Sequence, residues 1–388
     1  VLKGPQDLAI DEVPVPAPRP GQVLIRVEGC GVCASNVEPW EGQPWSTFPG
    51  APGGMGHESW GTVAALGAGV EGLAPGTRVA ALSERAYAEY DLADAAMVVP
   101  LPPELDGKPV PGEPVACAMN IFARSDVRAG QTVVIVGIGF LGAILTRLAT
   151  DAGARVIAVS RRAESLDLAR SMGAAETIVM DDHWRIIEDV KRLTGGRMAE
   201  RVIECVGKQW PLDLAGELVA EGGRLVIAGY HQDGPRQVNM QMWNWKGIDI
   251  ASAHERDAVV RVAGLRAAVD ALAQGRLDLK AVVADFIADT QAAGFRQRRE
   301  GLAYRLTWAR RGEQPVKRVA PDATGLTPRR RAVYRTRAAI SAGSHRMADI
   351  ARRTGRPGIY VRWAWAAYRL YEGLVYARGR FGPVLDRL

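Results

Sequence analysis

Two different patterns of hydrophobic and polar residues divide the chain. Up to about residue 100, short β-rich runs such as GQVLIRVEGCGV (21–32) and WGTVAALGAGV (60–70) are separated by Pro-Gly and Gly-Ala-Gly turns. This pattern predicts an all-β module. From residue 119, continuous Val/Ile-rich runs alternate with helical patterns, which is typical of a parallel sheet covered by helices on both faces.

The predicted strands and helices of the second pattern can be bounded from the sequence. A helix with one apolar face is predicted for FLGAILTRLATDAG, which ends at Gly153, and another for residues 258–275, followed by a last strand over 303–309. The predicted parallel strands are residues 132–139, 154–160, 175–182, 201–207, 223–230 and 247–254.

The segment GGMGHESWG (53–61) is unusual because four glycines surround one His-Glu pair. Neither a helix nor a central strand favours such a composition. One interpretation is a glycine-rich turn with a surface His. The other is a metal site, because Cys33 precedes His57 by 24 residues, Glu58 follows it and Glu113 lies downstream. A thiolate, an imidazole and a carboxylate form the ligand set of a catalytic Zn²⁺ with an open position.

The motif GIGFLG (137–142) has the spacing GxGxxG. It follows a predicted strand and opens a predicted helix, which is the context that dinucleotide binding requires. The glycines permit a tight turn and close approach of a pyrophosphate, which the positive end of the helix then binds. The predicted cofactor contacts are Gly137, Gly139, Phe140, Leu141 and Gly142.

The end of the next predicted strand bears on the choice of cofactor. An acidic residue there would bind the ribose 2′-hydroxyl of NAD, but the sequence has Ser160, Arg161 and Arg162. A hydroxyl and two guanidinium groups suit a 2′-phosphate, so we predict NADP rather than NAD. The alternative is that these residues are a solvated helix start and that either cofactor binds.

Composition adds limits to this picture. The chain has 388 residues, 47% of them hydrophobic, and a mean hydropathy of −0.06, which predicts a soluble protein of two or three domains. No apolar run is long enough to span a bilayer. Four cysteines are too few for a disulfide scaffold, so we expect a cytoplasmic protein.

The positive charge is concentrated in one part of the chain. Residues 310–388 contain 18 Lys and Arg but five Asp and Glu, and the remainder carries about −7. The pI of about 9.2 is therefore no argument for nucleic-acid binding by the body. The basic extension could contact a membrane surface, a nucleic acid or an acidic partner, or it could be an accessory segment with no role in the chemistry.

Five motifs in order give the chain a family resemblance: GCGVCASN, GHE, GTVAALGAGVEGLAPGTRVA, EPVACAMN and GIGFLG. They resemble the medium-chain dehydrogenase/reductase superfamily, in its zinc-dependent alcohol dehydrogenase-like, polyol and threonine dehydrogenase-like branch. The resemblance covers about residues 1–309. It implies an α/β fold with a GroES-like β-rich catalytic domain (1–118), a Rossmann doubly wound parallel sheet (119–255), a return to the catalytic domain (256–309) and a basic C-terminal extension (310–388).

The resemblance also implies the composition of the site. Cys33, His57 and one of Glu58 or Glu113 are expected to hold a single catalytic zinc. A structural zinc is not expected, because no Cys lies between residues 34 and 116. Ser35 matches the family's proton-relay position, and Glu38 or water could continue the relay.

The predicted function is that of a zinc-dependent oxidoreductase that transfers a hydride between an alcohol, polyol or carbonyl substrate and NAD(P). The alternatives are a pathway-specific or partner-coupled homologue with little general dehydrogenase activity, and a non-catalytic NADPH sensor. The resemblance implies a homodimer or homotetramer.

Three further residues remain open. Cys117 could line the site, replace Glu113 as a ligand or belong to the core. His231 and His254 each follow a predicted strand, so they could contact cofactor or substrate or make structural hydrogen bonds.

Overall fold

The computed structural model describes residues 1–279. The predicted strand over 303–309, most of the predicted return segment and the whole basic extension lie outside the described residues. The described strands are β1 (Leu2–Gly4), β2 (Asp7–Leu8), β3 (Gln22–Cys30), β4 (Ser59–Leu66), β5 (Arg78–Ala81), β6 (Tyr90–Asp94), β7 (Val98–Pro100), β8 (Thr132–Val136), β9 (Arg155–Ser160), β10 (Glu176–Val179), β11 (Ala199–Glu204), β12 (Val219–Ile227) and β13 (Asp249–Ser252). The helices are α1 (Val37–Glu41), α2 (Gly112–Ser125), α3 (Phe140–Asp151), α4 (Ala163–Ser171), α5 (His183–Leu193), α6 (Gln209–Leu218), α7 (Met240–Lys246) and α8 (Ala258–Ala273).

The N-terminal part forms the predicted β-rich domain. Its five-stranded sheet has the order β6-β3-β4-β5-β7, and every neighbouring pair is antiparallel. Apolar residues that alternate along the strands, among them Val23, Ile25 and Val63, face one core cluster. The predicted β-rich run over 60–70 corresponds to β4, which starts at Ser59. Its place at the centre of the sheet is one that the composition of GGMGHESWG did not indicate.

The second sheet is fully parallel, with the order β10-β9-β8-β11-β12-β13. This is the doubly wound order of a Rossmann sheet. Strands β9 and β10 are added on one side of β8, and β11, β12 and β13 on the other. Each of the six predicted strands is present. Val133 to Val136 of β8 are fully buried, which explains the continuous apolar run. The predicted α/β fold class is confirmed.

Helix α8 packs against both α2 and the β-rich domain. Val262 and Leu265 share a core cluster with Val115 of α2 and with Ala80 and Val99 of the N-terminal sheet. This agrees with a return of the chain to the catalytic domain. The predicted boundary at 118/119 falls inside α2, and the exact domain limits stay predictions.

Within residues 1–279, none of the helices has both the length and the apolar character needed to cross a bilayer.

Candidate metal and cofactor site

The register of two strands brings the predicted metal ligands together. Strands β3 and β4 are antiparallel, with Cys30 opposite Ser59. The chain leaves β3 just before Cys33 and enters β4 just after Glu58. The Gly31 N–H extends the ladder by donating to the Glu58 carbonyl at 3.0 Å. Residues that are 24 positions apart in sequence therefore meet at one end of the sheet.

Cys33, His57 and Glu58 form a compact group of potential ligands. The Cys33 sulfur, a His57 ring nitrogen and a Glu58 carboxylate oxygen all lie within 4.8 Å of one another. Cys33 and His57 are partly buried, and Glu58 is buried. Three ligand types that suit zinc thus converge at one point that solvent reaches only in part.

The His57 ring is held by a main-chain carbonyl. Its Nδ1 lies 2.9 Å from the Met55 oxygen, to which it donates, so Nε2 is the nitrogen available to a metal. Asn36 Nδ2 donates to the same oxygen at 2.9 Å, and the Tyr87 hydroxyl donates to Asn36 Oδ1 at 2.8 Å. Met55 has a φ of 74°, a left-handed conformation that is costly for a residue with a side chain.

The electrostatics of this group favour a cation. Burial lowers the pKa of His57, but contact with Cys33 and the charges of Glu113 and Glu58 outweigh it and raise the pKa to about 9. In the metal-free site, the His57 ring therefore carries a proton on both nitrogens at neutral pH. A divalent cation can replace the proton on Nε2 in the same negative surroundings.

The two candidate carboxylates occupy different places. Glu58 belongs to the compact group of ligand atoms, whereas Glu113, in the first turn of α2, does not. Gly31 makes room for Glu58, because a Cβ at Gly31 would lie 1.9 Å from Glu58 Oε2. Sequence reasoning missed this role of Gly31. The geometry favours Glu58 over Glu113 as the direct ligand.

Cys117 lies one helical turn after Glu113 and donates a hydrogen bond to Glu113 Oε1 at 3.2 Å. Partial burial of its thiol, and then the charge of Glu113, raise its pKa well above the usual value, although the residue retains solvent contact. Its exposure argues against a core role. The other three cysteines are also free thiols.

Ser35 lies in the short 3-10 turn Ala34–Asn36, for which Cys33 is the N-cap residue. It is partly buried, and within the described part of the chain its hydroxyl makes no hydrogen bond.

The predicted nucleotide loop has the expected strand–turn–helix form. Gly137 follows β8 with a φ of 98°, and Gly139 is the N-cap residue of α3, whose first residues are Phe140 and Leu141. A Cβ at Gly142 would lie 2.0 Å from the Gly137 oxygen, so glycine is required for this tight turn.

The residues at the end of β9 differ in accessibility. Ser160 is buried as the last residue of the strand, and Arg161 is exposed. Arg162 donates to Ser165 Oγ at 2.7 Å. Among the described residues, Arg161 makes no hydrogen bond or ion pair, so its guanidinium can reach a ligand at this sheet edge.

Sequence reasoning missed Glu204, the last residue of β11, whose side chain is completely buried. Its Oε1 accepts from the Val206 and Gly207 N–H groups at 2.7 and 2.8 Å. Its Oε2 lies 3.0 Å from His231 Nε2. A charged residue inside an apolar strand run was the available signal. His231 thus has a structural hydrogen bond, and His254 stacks on Tyr230 with ring centroids 5.9 Å apart.

Two family models match the chain. The alcohol dehydrogenase GroES-like domain matches residues 19–103, and the zinc-binding dehydrogenase model matches residues 141–274. Together they cover more than half of the chain. The chain belongs to the zinc-dependent medium-chain dehydrogenase/reductase superfamily of oxidoreductases. The family predicted from the sequence is confirmed.

Individual relatives agree with this assignment. An alcohol dehydrogenase of Rhizobium meliloti (strain 1021) is 34% identical over 222 residues, which cover 49% of this chain and 64% of that protein, less than two thirds of its length. Human sorbitol dehydrogenase is 28% identical over 266 residues, 59% of this chain and 73% of that protein. A structure described as a zinc-binding dehydrogenase from Sinorhizobium meliloti 1021 bound to NADP has 26% identity and a TM-score of 0.63, and the match covers 76% of this chain and 95% of that one.

Proposed function

We propose that the chain is a zinc-dependent, NADP-preferring dehydrogenase that transfers a hydride between the carbinol carbon of an alcohol or polyol and the nicotinamide. The observation that carries the proposal is the convergence of Cys33, His57 and Glu58 within 4.8 Å at the end of β3 and the start of β4. The alcohol and sorbitol dehydrogenases among its relatives support this substrate class.

The residues present fit a zinc ion. The donor set contains one thiolate, one imidazole and one carboxylate, and the ring of His57 is oriented by its Nδ1 contact with Met55. Bound zinc supplies Lewis-acid stabilisation of negative charge on the substrate oxygen. Cys33, His57 and Glu58 are the proposed ligands, and Glu113 supplies a further negative charge nearby.

Ser35 is the proposed first acceptor of the alcohol proton. The proposal is supported by its position two residues after Cys33 and by its hydroxyl, which makes no hydrogen bond to another described group. Ser35→Ala should therefore lower turnover strongly and leave the zinc content unchanged.

NADP is the proposed cofactor, and the nicotinamide supplies the hydride acceptor or donor. The exposed guanidinium of Arg161, at the end of β9, supports a 2′-phosphate contact. The NADP-bound relative supports the same choice. Gly137, Gly139 and the first turn of α3 are the proposed pyrophosphate contacts.

Three finer parts of the proposal concern the whole protein. One zinc per chain is supported by the four-cysteine total, which leaves no set for a structural site. A cytoplasmic compartment is supported by the four free thiols. A homodimer or homotetramer is supported by the position of β13 at the end of the parallel sheet, as far as residues 1–279 define that sheet.

The experiment that tests the proposal is a screen of secondary alcohols, polyols and the matching ketones with NADP(H) and NAD(H), with metal analysis in parallel. We expect turnover, a preference for NADP(H), one zinc per chain, and loss of activity with chelator that added zinc restores. Cofactor binding without turnover on any substrate would favour the NADPH-sensor alternative instead.

A further inference from the structure

Lys208 joins carboxylates from the two domains. It is the N-cap residue of α6, in the Rossmann domain. Its Nζ lies 2.7 Å from Asp233 Oδ2, in the same domain, and 3.8 Å from Glu38 Oε1. Glu38 belongs to α1, in the β-rich domain. The ion pair Glu38–Lys208 therefore crosses from one domain to the other.

The carboxylate of Glu38 is buried, with a side chain that is 7% exposed. Its Oε2 accepts a hydrogen bond from Gln43 Nε2 at 2.6 Å, and its Oε1 faces Lys208. A cation beside a buried carboxylate offsets the loss of its hydration. Lys208 is the one cation within 4 Å of Glu38 in the described part of the chain.

A chain of polar side chains holds Lys208 on the Rossmann side. Asp233, its closer partner, also pairs with Arg236. Arg236 Nε donates to His231 Nδ1 at 2.9 Å. Because arginine has no acceptor, His231 must carry its proton on Nε2, which donates to buried Glu204 at 3.0 Å. Lys208 is thus anchored to the carboxyl end of β11.

On the other side, Glu38 is connected to the segment that carries the proposed metal ligand Cys33. Helix α1 starts directly after the 3-10 turn that contains Ser35, and Cys33 is the N-cap residue of that turn. Asn36, between them, donates to the carbonyl that holds His57. Glu38 is therefore linked, through one short turn and the Asn36 hydrogen bond, to the proposed metal ligands Cys33 and His57.

We propose that Glu38 and Lys208 are positioning residues whose ion pair fixes the spacing of the two domains around the bound nucleotide. The proposal rests on the proposed function, since hydride transfer requires the nicotinamide and the metal site at a fixed separation. The Lys208 side chain is 45% exposed, so solvent can compete for it when the domains separate and the cofactor leaves.

The test is a double-mutant cycle of Glu38→Gln, Lys208→Gln and the double variant. NADPH dissociation is followed by its fluorescence in stopped flow. NADPH should dissociate about three- to tenfold faster from each single variant. It should leave the double variant no faster than it leaves the faster of the two single variants, because each substitution removes the same contact. Lys208→Arg should stay within about twofold of the unmodified chain.

The matched control is Lys191→Gln. Lys191 is an exposed lysine of α5 at a similar distance, 3.7 Å, from Glu188, away from the other domain. It should change dissociation by less than about twofold, since surface pairs contribute little. Zinc content and thermal unfolding establish that each variant is folded. If Glu38→Gln does not fold, the test is the NADPH dissociation rate of the two Lys208 variants. That rate should be raised in Lys208→Gln and close to that of the unmodified chain in Lys208→Arg.

Two results would overturn the proposal. Additive effects of the two single variants would show that the residues act independently. A lowered kcat with a shifted pH profile in Glu38→Gln, with Lys208→Gln unchanged, would make Glu38 a proton relay instead. Because dissociation needs no turnover, NADPH binding without activity would defeat the proposed function alone, whereas no NADPH binding would defeat both.

Discussion

The two glycine-rich segments, the metal loop (53–61) and the nucleotide loop (137–142), use glycine against different neighbours. A Cβ at Gly56 would lie 2.3 Å from the Tyr87 nitrogen, which is 31 positions away in sequence. A Cβ at Gly142 would lie 2.0 Å from the Gly137 oxygen, within the same turn. Gly56 is therefore required by distant main chain, and Gly142 by its own turn.

The comparison also changes the explanation of the glycines beside His57. Glycines beside a metal ligand can leave room for the metal and the cofactor. The structure places the main chain of residues 86 and 87 against Gly56, and it places Glu58 against Gly31. The glycines next to the His-Glu pair thus serve close packing of the protein around the ligands.

The largest expected effect separates the two loops by function. His57→Ala should reduce turnover by more than about 10³-fold, because the metal loses its imidazole ligand. NADPH affinity should change by less than about twofold, since the nucleotide loop is not touched. Metal analysis, kcat and NADPH titration measure the three quantities. Retained turnover without zinc would contradict the proposed site.

The second prediction concerns the nucleotide side alone. Arg161→Asp should weaken NADP binding by about 100-fold, because a carboxylate replaces the proposed partner of the 2′-phosphate. NAD binding should hold or improve. The ratio of kcat/KM for the two cofactors measures the change, and Arg155→Asp, at the opposite end of β9, is the control. Equal losses for both cofactors would remove Arg161 from cofactor selection.

The third prediction exchanges the two glycines for alanine. Gly56→Ala should lower the free energy of unfolding by about 1–3 kcal/mol and reduce the affinity for zinc, because main-chain atoms of residues 86 and 87 must move. Gly142→Ala should reduce the affinity for NADPH by more than about tenfold and leave zinc bound. Gly4→Ala, where nothing lies within 4 Å of the added Cβ, is the control. Loss of both ligands in both variants would show that the loops are not separable.

The fourth prediction tests the support of His57 in the metal loop. Asn36→Ala removes a donor to the Met55 carbonyl and should lower zinc affinity about 10- to 100-fold. Competition for zinc with a coloured chelator measures this affinity. Asn239→Ala, which removes the side-chain cap of α7 far from the metal loop, is the control and should leave zinc affinity unchanged. An unaffected affinity in Asn36→Ala would mean that Met55 alone orients the ring.

The smallest expected effect is a pH dependence of the metal-free chain. The pKa of His57 is raised to about 9 in the folded state, so its contribution to stability is complete below about pH 6.5. That contribution, at most about 3 kcal/mol, is lost as the pH rises through 9. Urea midpoints from pH 6 to 10 in chelator should fall, and less so in His57→Gln. Equal slopes in both proteins would contradict the raised pKa.

The fold and the nucleotide loop could be predicted from the sequence because their signals are local. Fully buried strands such as β8 read as continuous apolar runs, and the turn from Gly137 to Gly142 follows from six consecutive residues. The run that forms β4 was also predicted, but its place at the centre of the sheet was not. A glycine-rich composition does not predict a central strand, yet its neighbours on both sides stabilise it.

The site shows the same division. Cys33, His57 and Glu58 were found from residue type, order and family resemblance. The Met55 carbonyl, the space at Gly31 and the Glu204–His231 contact were not, because each depends on which distant segments meet. No residue type in the sequence marks a carbonyl as the acceptor for a particular imidazole.

By itself, then, the sequence determined the alternation of strands and helices, the nucleotide-binding turn and the set of zinc-type side chains. Apolar periodicity and glycine spacing act over a few residues, so they can be read along the chain. Only the tertiary structure decided that Glu58 rather than Glu113 joins the compact ligand group, and that Lys208 reaches Glu38. Both outcomes follow from strand register and domain packing, which bring together side chains that are far apart in sequence.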